Sequence, residues 1–269
     1  MAQRRLLQLR PTNNSCLPPS KTLKAVNAEL RNDYSERLEE LITLLPVTED
    51  QLVSELKRNN THLYLSDEPN RLKVQEALNE GVAAAIMSTP KKDMPVFENQ
   101  LRVAFDGDAV LFSNEFQGVG LKAFLKNEKQ NVEKPMKKGP FKGFLEVLIK
   151  LQPKLHNKGK KCPIRTYLVT SRGAGCPGYR ALNTLRTWGL ELDEAVFVGG
   201  ADKGPTLQRI KPHIFFDAWW KTQSELAGLL KGRPNIIWSF EPEPNKWLST
   251  EEGETARPQS ASTQDVWDA

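Results

Sequence analysis

The chain has 269 residues, 39% of them hydrophobic and 26% charged, with a net charge of +5, which suits one α/β domain of ordinary size plus extensions outside its core. Arg4, Arg5 and Arg10 crowd a short leucine-containing N-terminus that is too charged for a secretory leader, and no later run is apolar for long enough to span a membrane, so a cytoplasmic protein is expected. Cys16, Cys162 and Cys176 are an odd number without a CxxC pair, which argues against a disulfide framework or a zinc knuckle.

Residues 1–22, with Pro11, Asn13, Asn14, Pro18 and Pro19, read as a flexible segment. Apolar spacing from Leu23 through Val26, Leu30, Leu38 and Leu41 to Leu44 predicts one or two amphipathic helices over 22–45. Thr48-Glu49-Asp50 opens a further helix through Leu56, and Thr61 to Ser66 alternates as a strand does. Residues 69–87 carry Leu72, Val74, Ala77, Leu78 and Val82 in one stripe and predict a helix, with Gly81 as its soft spot. Leu101 to Phe105 is a short buried strand ending on Asp106. Residues 113–138 are polar, predict helix, and look like an insertion over that strand end. Phe141 to Leu155 predicts an amphipathic helix behind Pro140. Ile164 to Val169 is a second buried strand, Tyr179 to Trp188 a helix stopped by Gly189, and Ala195 to Val198 a third strand. A short helix over 206–210 precedes a fourth strand, His213 to Phe216, which ends on Asp217. A helix to about Leu230 and a strand over 235–240 complete a domain of residues 23–240. Residues 241–269, with seven acids to two bases, read as a disordered acidic tail.

Strands alternating with helices imply a mostly parallel sheet, whose ligands bind beyond the carboxyl ends of its strands. Three of those ends carry a residue able to handle phosphate or metal. Asp106 and Asp108 flank one glycine directly after an apolar strand. A carboxylate there, beside a divalent cation, can attack phosphorus in line, and a second one two residues on can protonate the leaving oxygen and then activate water. Thr170, at the end of the second strand, can hold phosphoryl oxygens, with Ser171 beside it. Lys203, in the Gly-rich stretch before the short helix, can neutralise phosphate charge. Asp217 can supply the further oxygen that a magnesium site needs. Each alone has a bland alternative: a turn aspartate, a strand-end threonine, a surface lysine, a helix cap. The order Asp-x-Asp, Thr, Lys, Asp is much harder to obtain by chance.

At this point the chain resembles the haloacid-dehalogenase-like (HAD-like) phosphatases, and more closely the cytosolic 5′-nucleotidase I family. The resemblance is carried by RVAFDGDAVLFSNE (102–115), CPIRTYLVTSR (162–172), TLRTWGLELDEAVFVGGADKGP (184–205) and KPHIFFD (211–217), with HLYLS (62–66) and EALNEGVAAA (76–85) upstream. It implies an α/β HAD-like three-layer sandwich with a mostly parallel sheet and a small helical cap, here 113–138. It also implies Mg²⁺-dependent hydrolysis of nucleoside 5′-monophosphates, AMP above all, through an aspartyl-phosphate. Carried over, Asp106 is the nucleophile, Asp108 the general acid and base, and Thr170, Ser171 and Lys203 the phosphate binders. Asp106, Asp217 and the carbonyl of Asp108 are the metal ligands. Two departures stand out: Ala218 replaces a second aspartate after Phe-Phe-Asp, and less chain precedes the motif than is usual in the family. Both favour the alternative of a weakened or inactive nucleotide-binding relative.

Residues 121–165 hold thirteen Lys or Arg against three Glu, an excess of ten positive charges. Such a field gathers anions, although a solvated helical face has the same composition. With few aromatics interleaved, nucleic acid is the weaker reading of it. Arg172 can reach a phosphate oxygen or form a structural salt bridge. His62, His156 and His213 lack metal-ligand spacing. A homo-oligomer is compatible with the sequence, and a membrane partner is not expected.

Overall fold

The computed structural model describes residues 8–9, 51–66, 71–87, 100–114, 119–155, 162–217 and 236–239. Its strands are β1 (Gln8–Leu9), β2 (Leu63–Ser66), β3 (Ala83–Met87), β4 (Leu101–Phe105), β5 (Ile164–Thr170), β6 (Glu194–Phe197), β7 (Ile214–Asp217) and β8 (Ile236–Ser239). Its helices are α1 (Leu52–Arg58), α2 (Arg71–Asn79), α3 (Leu121–Gln130), α4 (Lys142–Leu151), α5 (Cys176–Thr187) and α6 (Gly204–Ile210), and a 3₁₀ turn, Gln152–Leu155, extends α4. The strands form one sheet in the order β1-β2-β3-β8-β7-β4-β5-β6, parallel throughout except between β3 and β8. The α/β class and mostly parallel sheet expected from sequence are therefore present. No described helix is long and apolar enough to cross a membrane.

The apolar strands are read out on two faces. Val103 and Phe105 of β4, Ile164 and Leu168 of β5, and Ile214 and Phe216 of β7 pack into one cluster with Phe144, Leu145, Leu148 and Leu151 of α4 and Ala181 and Leu185 of α5. The intervening Ala104, Tyr167, Val169 and Phe215 join Leu207 and Ile210 of α6 in a second cluster. This alternation is the two-residue period of a strand buried on both sides, which is why these strands read as continuous apolar runs. Phe216 centres the first cluster, with its ring centroid 4.5 Å from that of Phe141 and 5.2 Å from that of Phe105.

Register decides where the site falls. Phe105 of β4 lies opposite Leu168 of β5 on one side and Phe216 of β7 on the other. The three parallel strands thus finish at one edge, carrying Asp106, Thr170 and Asp217 to it.

Several elements differ from the sequence reading. The helix expected over 69–87 is α2, ending at Asn79, followed by β3. Gly81, at φ +79°, takes the left-handed conformation; its N–H donates to Leu78 O and the next N–H, of Val82, to Ala77 O. This paired closure ends a helix and suits glycine. Ala83, Ala84 and Ala85 then lie fully buried between β2 and β8. Helix α5 starts at Cys176, earlier than expected, because Pro177 occupies a first-turn position where proline's missing N–H costs nothing. Over 113–138 the described helix is confined to α3. That excursion leaves and returns on paired backbone, with the Ser113 N–H donating to Lys137 O and the Gly139 N–H to Leu111 O. Gln8–Leu9 fall within the stretch read as flexible and add a short strand to β2. The helices expected over 22–45 and up to Leu230, and the acidic tail, lie outside the described residues.

Candidate active site

The chain after β4 is fixed before any side chain acts. The Asp106 N–H donates to Phe216 O at 2.8 Å, locking the strand end to β7. The Gly107 carbonyl then accepts from the N–H groups of Leu111 and Phe112 at 2.9 and 3.0 Å, folding the motif into a tight turn. Gly107 has a steric reason: a Cβ there would stand 2.9 Å from the Thr170 hydroxyl, which would have to shift. The close approach of β4 and β5 loops is what brings Thr170, fully buried, beside the two aspartates.

Asp106 is buried, and its Oδ1 accepts the Gly107 N–H at 2.6 Å. Its Oδ2 lies 2.7 Å from Lys203 Nζ, which also lies 3.4 Å from Asp217 Oδ1. Lys203 stands at the N-terminus of α6, in a loop tied to the end of β5 by the Gly199 and Gly200 N–H groups donating to the Arg172 and Ser171 carbonyls. Two buried carboxylates thus share one partly buried ammonium. Burial pushes the Asp106 carboxyl up to about 7; Lys203 pulls it down, and Asp217 pushes it further up. For Lys203, burial alone would lower the value, but Asp106 and Asp217 together hold it above the ordinary lysine range. The lysine stays charged, ready for an anion.

Asp108 is held by a different cation. Its two carboxylate oxygens accept from Arg172, Oδ1 from Nη2 at 2.7 Å and Oδ2 from Nε at 2.9 Å. Arg172 is thus the structural salt bridge that the sequence left open. Its Nη1 also donates to Glu128 Oε2 at 2.7 Å and to the Pro177 carbonyl at 3.3 Å. Glu128 is wholly buried, and its Oε1 accepts from Arg180 Nη1 at 2.8 Å. The Ser171 side chain is exposed.

The structure therefore gathers Asp106, Lys203, Asp217 and Thr170 at one strand edge and joins Asp108 to them through the motif turn. Ala218 lies outside the described residues. Sequence reasoning missed Glu128 and Arg180. The signal available for Glu128 was its place four residues after Phe124, on one helical face, as the sole acid of α3. His213, read as a strand-start residue, is buried and accepts the Arg102 N–H on Nδ1 at 2.9 Å, far from any ligand role. Among the described residues no group of three or more His, Cys, Asp or Glu side chains is placed to hold a metal ion.

Known proteins bear on the same residues. A family model described as 5′-nucleotidase matches residues 47–227, a span that contains every residue of this site. Human cytosolic 5′-nucleotidase 1B is 52% identical over 168 residues, which is 60% of this chain and 27% of that protein. The chain thus spans about a quarter of the length of this curated relative. Among solved structures, a putative universal stress protein from Pseudomonas aeruginosa matches 87% of this chain and 81% of its own, at 10% identity and a TM-score of 0.28. The family model and the human relative both bear out the resemblance to cytosolic 5′-nucleotidases of type I. Since the family model covers more than half of the sequence and the whole strand-end site, the chain belongs to the 5′-nucleotidase family.

Proposed function

We propose that this chain is a cytoplasmic, magnesium-dependent 5′-nucleotidase that hydrolyses AMP-like nucleoside 5′-monophosphates through an aspartyl-phosphate on Asp106. The observation that carries this reading is the cluster of buried Asp106 and Asp217 around Lys203, with Nζ 2.7 and 3.4 Å from the two carboxylates. Two carboxyl groups meet at one lysine, and such a pair of oxygen donors suits a divalent cation. Magnesium is held by one or two carboxylates, carbonyls and water rather than by an all-protein cage, so the side chains of Asp106 and Asp217 fit it, with Asp108 contributing its carbonyl. When bound, the ion would supply positive charge against the phosphoryl oxygens.

In this reading an Asp106 oxygen forms a bond to phosphorus as the bond from phosphorus to the ester oxygen breaks, and the leaving oxygen takes a proton from Asp108. A water that gives its proton back to Asp108 then attacks phosphorus, releasing phosphate and restoring the Asp106 carboxylate. Lys203 and the Thr170 hydroxyl hold the phosphoryl oxygens through both steps, with Ser171 beside them. The finer architecture, a HAD-like three-layer sandwich with 113–138 as a small cap, is supported by helix residues packed on both sheet faces and by the paired backbone where the excursion begins and ends.

Phosphate release from a panel of nucleoside monophosphates, with and without Mg²⁺, tests the reading. Activity should need the metal, and Asp106→Asn should abolish it while leaving a cooperative melt. An Asp106→Asn protein that keeps most of its turnover would sink the mechanism, and a wild type that binds a monophosphate without hydrolysing it would replace the enzyme with a binding relative.

A further inference from the structure

The pair of arginines behind Asp108 has no part in the mechanism above. Arg172 is 2% exposed at its side chain and Glu128 0%, whereas Asp108 keeps 38% of its side chain open. The guanidinium spends one edge on Asp108, through Nε and Nη2, and its remaining nitrogen on Glu128 and the Pro177 carbonyl. The Phe124 ring of α3 lies 5.3 Å from the guanidinium carbon. Arg180, which grips the other oxygen of Glu128, is itself tied to the Lys134 carbonyl through Nε at 2.9 Å. A planar fork seated this way has one orientation, and it fixes both oxygens of the carboxylate it meets.

We propose that Glu128 of α3 is a positioning residue for catalysis: by clamping Arg172 it holds the Asp108 carboxylate where that group serves the leaving oxygen and the incoming water. The inference rests on the nucleotidase reading and assigns α3 a task other than covering the site. Glu128 touches neither substrate nor the reacting atoms; it acts through Arg172 alone.

Glu128→Gln keeps the shape but leaves one acceptor for two guanidinium groups, so Arg172 is released from one side. In the presence of Mg²⁺, kcat on AMP should fall about 10–100-fold, the usual cost of losing a supporting contact, with KM within about twofold because phosphate binding is untouched. An aryl phosphate with an acidic leaving group needs no proton from Asp108 to depart, so its first-turnover burst of phenolate should change less than about threefold. In an Asp108→Asn background, Glu128→Gln should cost kcat no more than about a further twofold, since a residue acting through Asp108 has nothing left to act on. Equal losses on both substrates, or the same loss factor in both backgrounds, would overturn the proposal. If Glu128→Gln gives no cooperative melt, Arg172→Lys carries the test. It keeps the charge without the fork, and the same selective loss on AMP is expected; equal losses overturn the idea. A wild type that releases phosphate from no monophosphate would bring down the nucleotidase reading and this inference together. An active wild type with additive variants would bring down this inference alone.

Discussion

Asp106 shows how the chemistry of the site works against the stability of the fold. With its carboxyl at about 7 in the folded protein and 3.8 as the ordinary value, the native state holds a proton that the unfolded chain has released over that interval. Stability from this group is therefore full at low pH and lost as pH rises through about 7, the reverse of an ordinary salt-bridged aspartate. Asp106→Asn removes the penalty. In metal-free buffer at pH 8 its melting temperature should exceed that of the wild type by about 2–4 °C per kcal/mol recovered, and the gap should close towards pH 4. Equal melting temperatures at pH 8 would mean that Lys203, 2.7 Å away, offsets the whole cost of burial. If Mg²⁺ binds the native state through this carboxylate as proposed, added Mg²⁺ should raise the melting temperature of the wild type more than that of the variant. At this scale the strand-end residues Asp106, Thr170 and Asp217 were legible as a set, since each alone has a bland alternative but their order at successive strand ends is hard to obtain by chance. Glu128 was not, because a lone acid among lysines reads as surface until its burial is known.

The misjudged helix over 69–87 turns on the difference between propensity and burial. Ala83, Ala84 and Ala85 are strong helix formers, but at 0–3% exposure they serve as small side chains where strands β2 and β8 close in on β3. Gly81 marks the switch, and it was visible in the sequence as a weak point rather than as an end. Nothing lies within 4 Å of where a Cβ on Gly81 would stand, so Gly81→Ala isolates the cost of φ +79°. That variant should lose about 1–2 kcal/mol, read by urea denaturation, with kcat unchanged because Gly81 contacts no site residue. A loss below about 0.3 kcal/mol would mean the turn relaxes to another cap. Helix α3 was expected within 113–138, but its buried face was obscured for a related reason: it exposes Leu121 and Leu125 while burying Glu128, which inverts the pattern that periodicity reads. Strands β4, β5 and β7 were legible because burial on both faces leaves few polar positions, such as Arg102 and Arg165, inside otherwise apolar runs.

Over the whole molecule the charge is arranged in opposition to the site. Among the described residues the three carboxyl groups of Asp106, Asp108 and Asp217 face the two cations Lys203 and Arg172, so the apo cluster by itself offers a phosphate dianion little net attraction. The stretch 121–165, ten positive charges in excess, contributes the opposite field. Lys122, Lys126, Lys129, Lys134, Lys137 and Lys138 in it are all exposed. Exposed charges act over roughly a Debye length, about 10 Å at 0.1 M salt, and lose their reach as salt rises. Changing Lys134, Lys137 and Lys138 together to Gln should therefore raise KM for AMP about 3–10-fold near 0.02 M salt and less than about twofold near 0.5 M. The value of kcat should hold, since the Lys134 link to Arg180 and the Lys137 link to Ser113 run through backbone carbonyls that the substitutions keep. The comparison is a salt series of Michaelis curves on the wild type and the triple variant. A KM difference that is the same at both ends of the series would mean that one of the lysines contacts the nucleotide directly, and the long-range field would then have no part in capture.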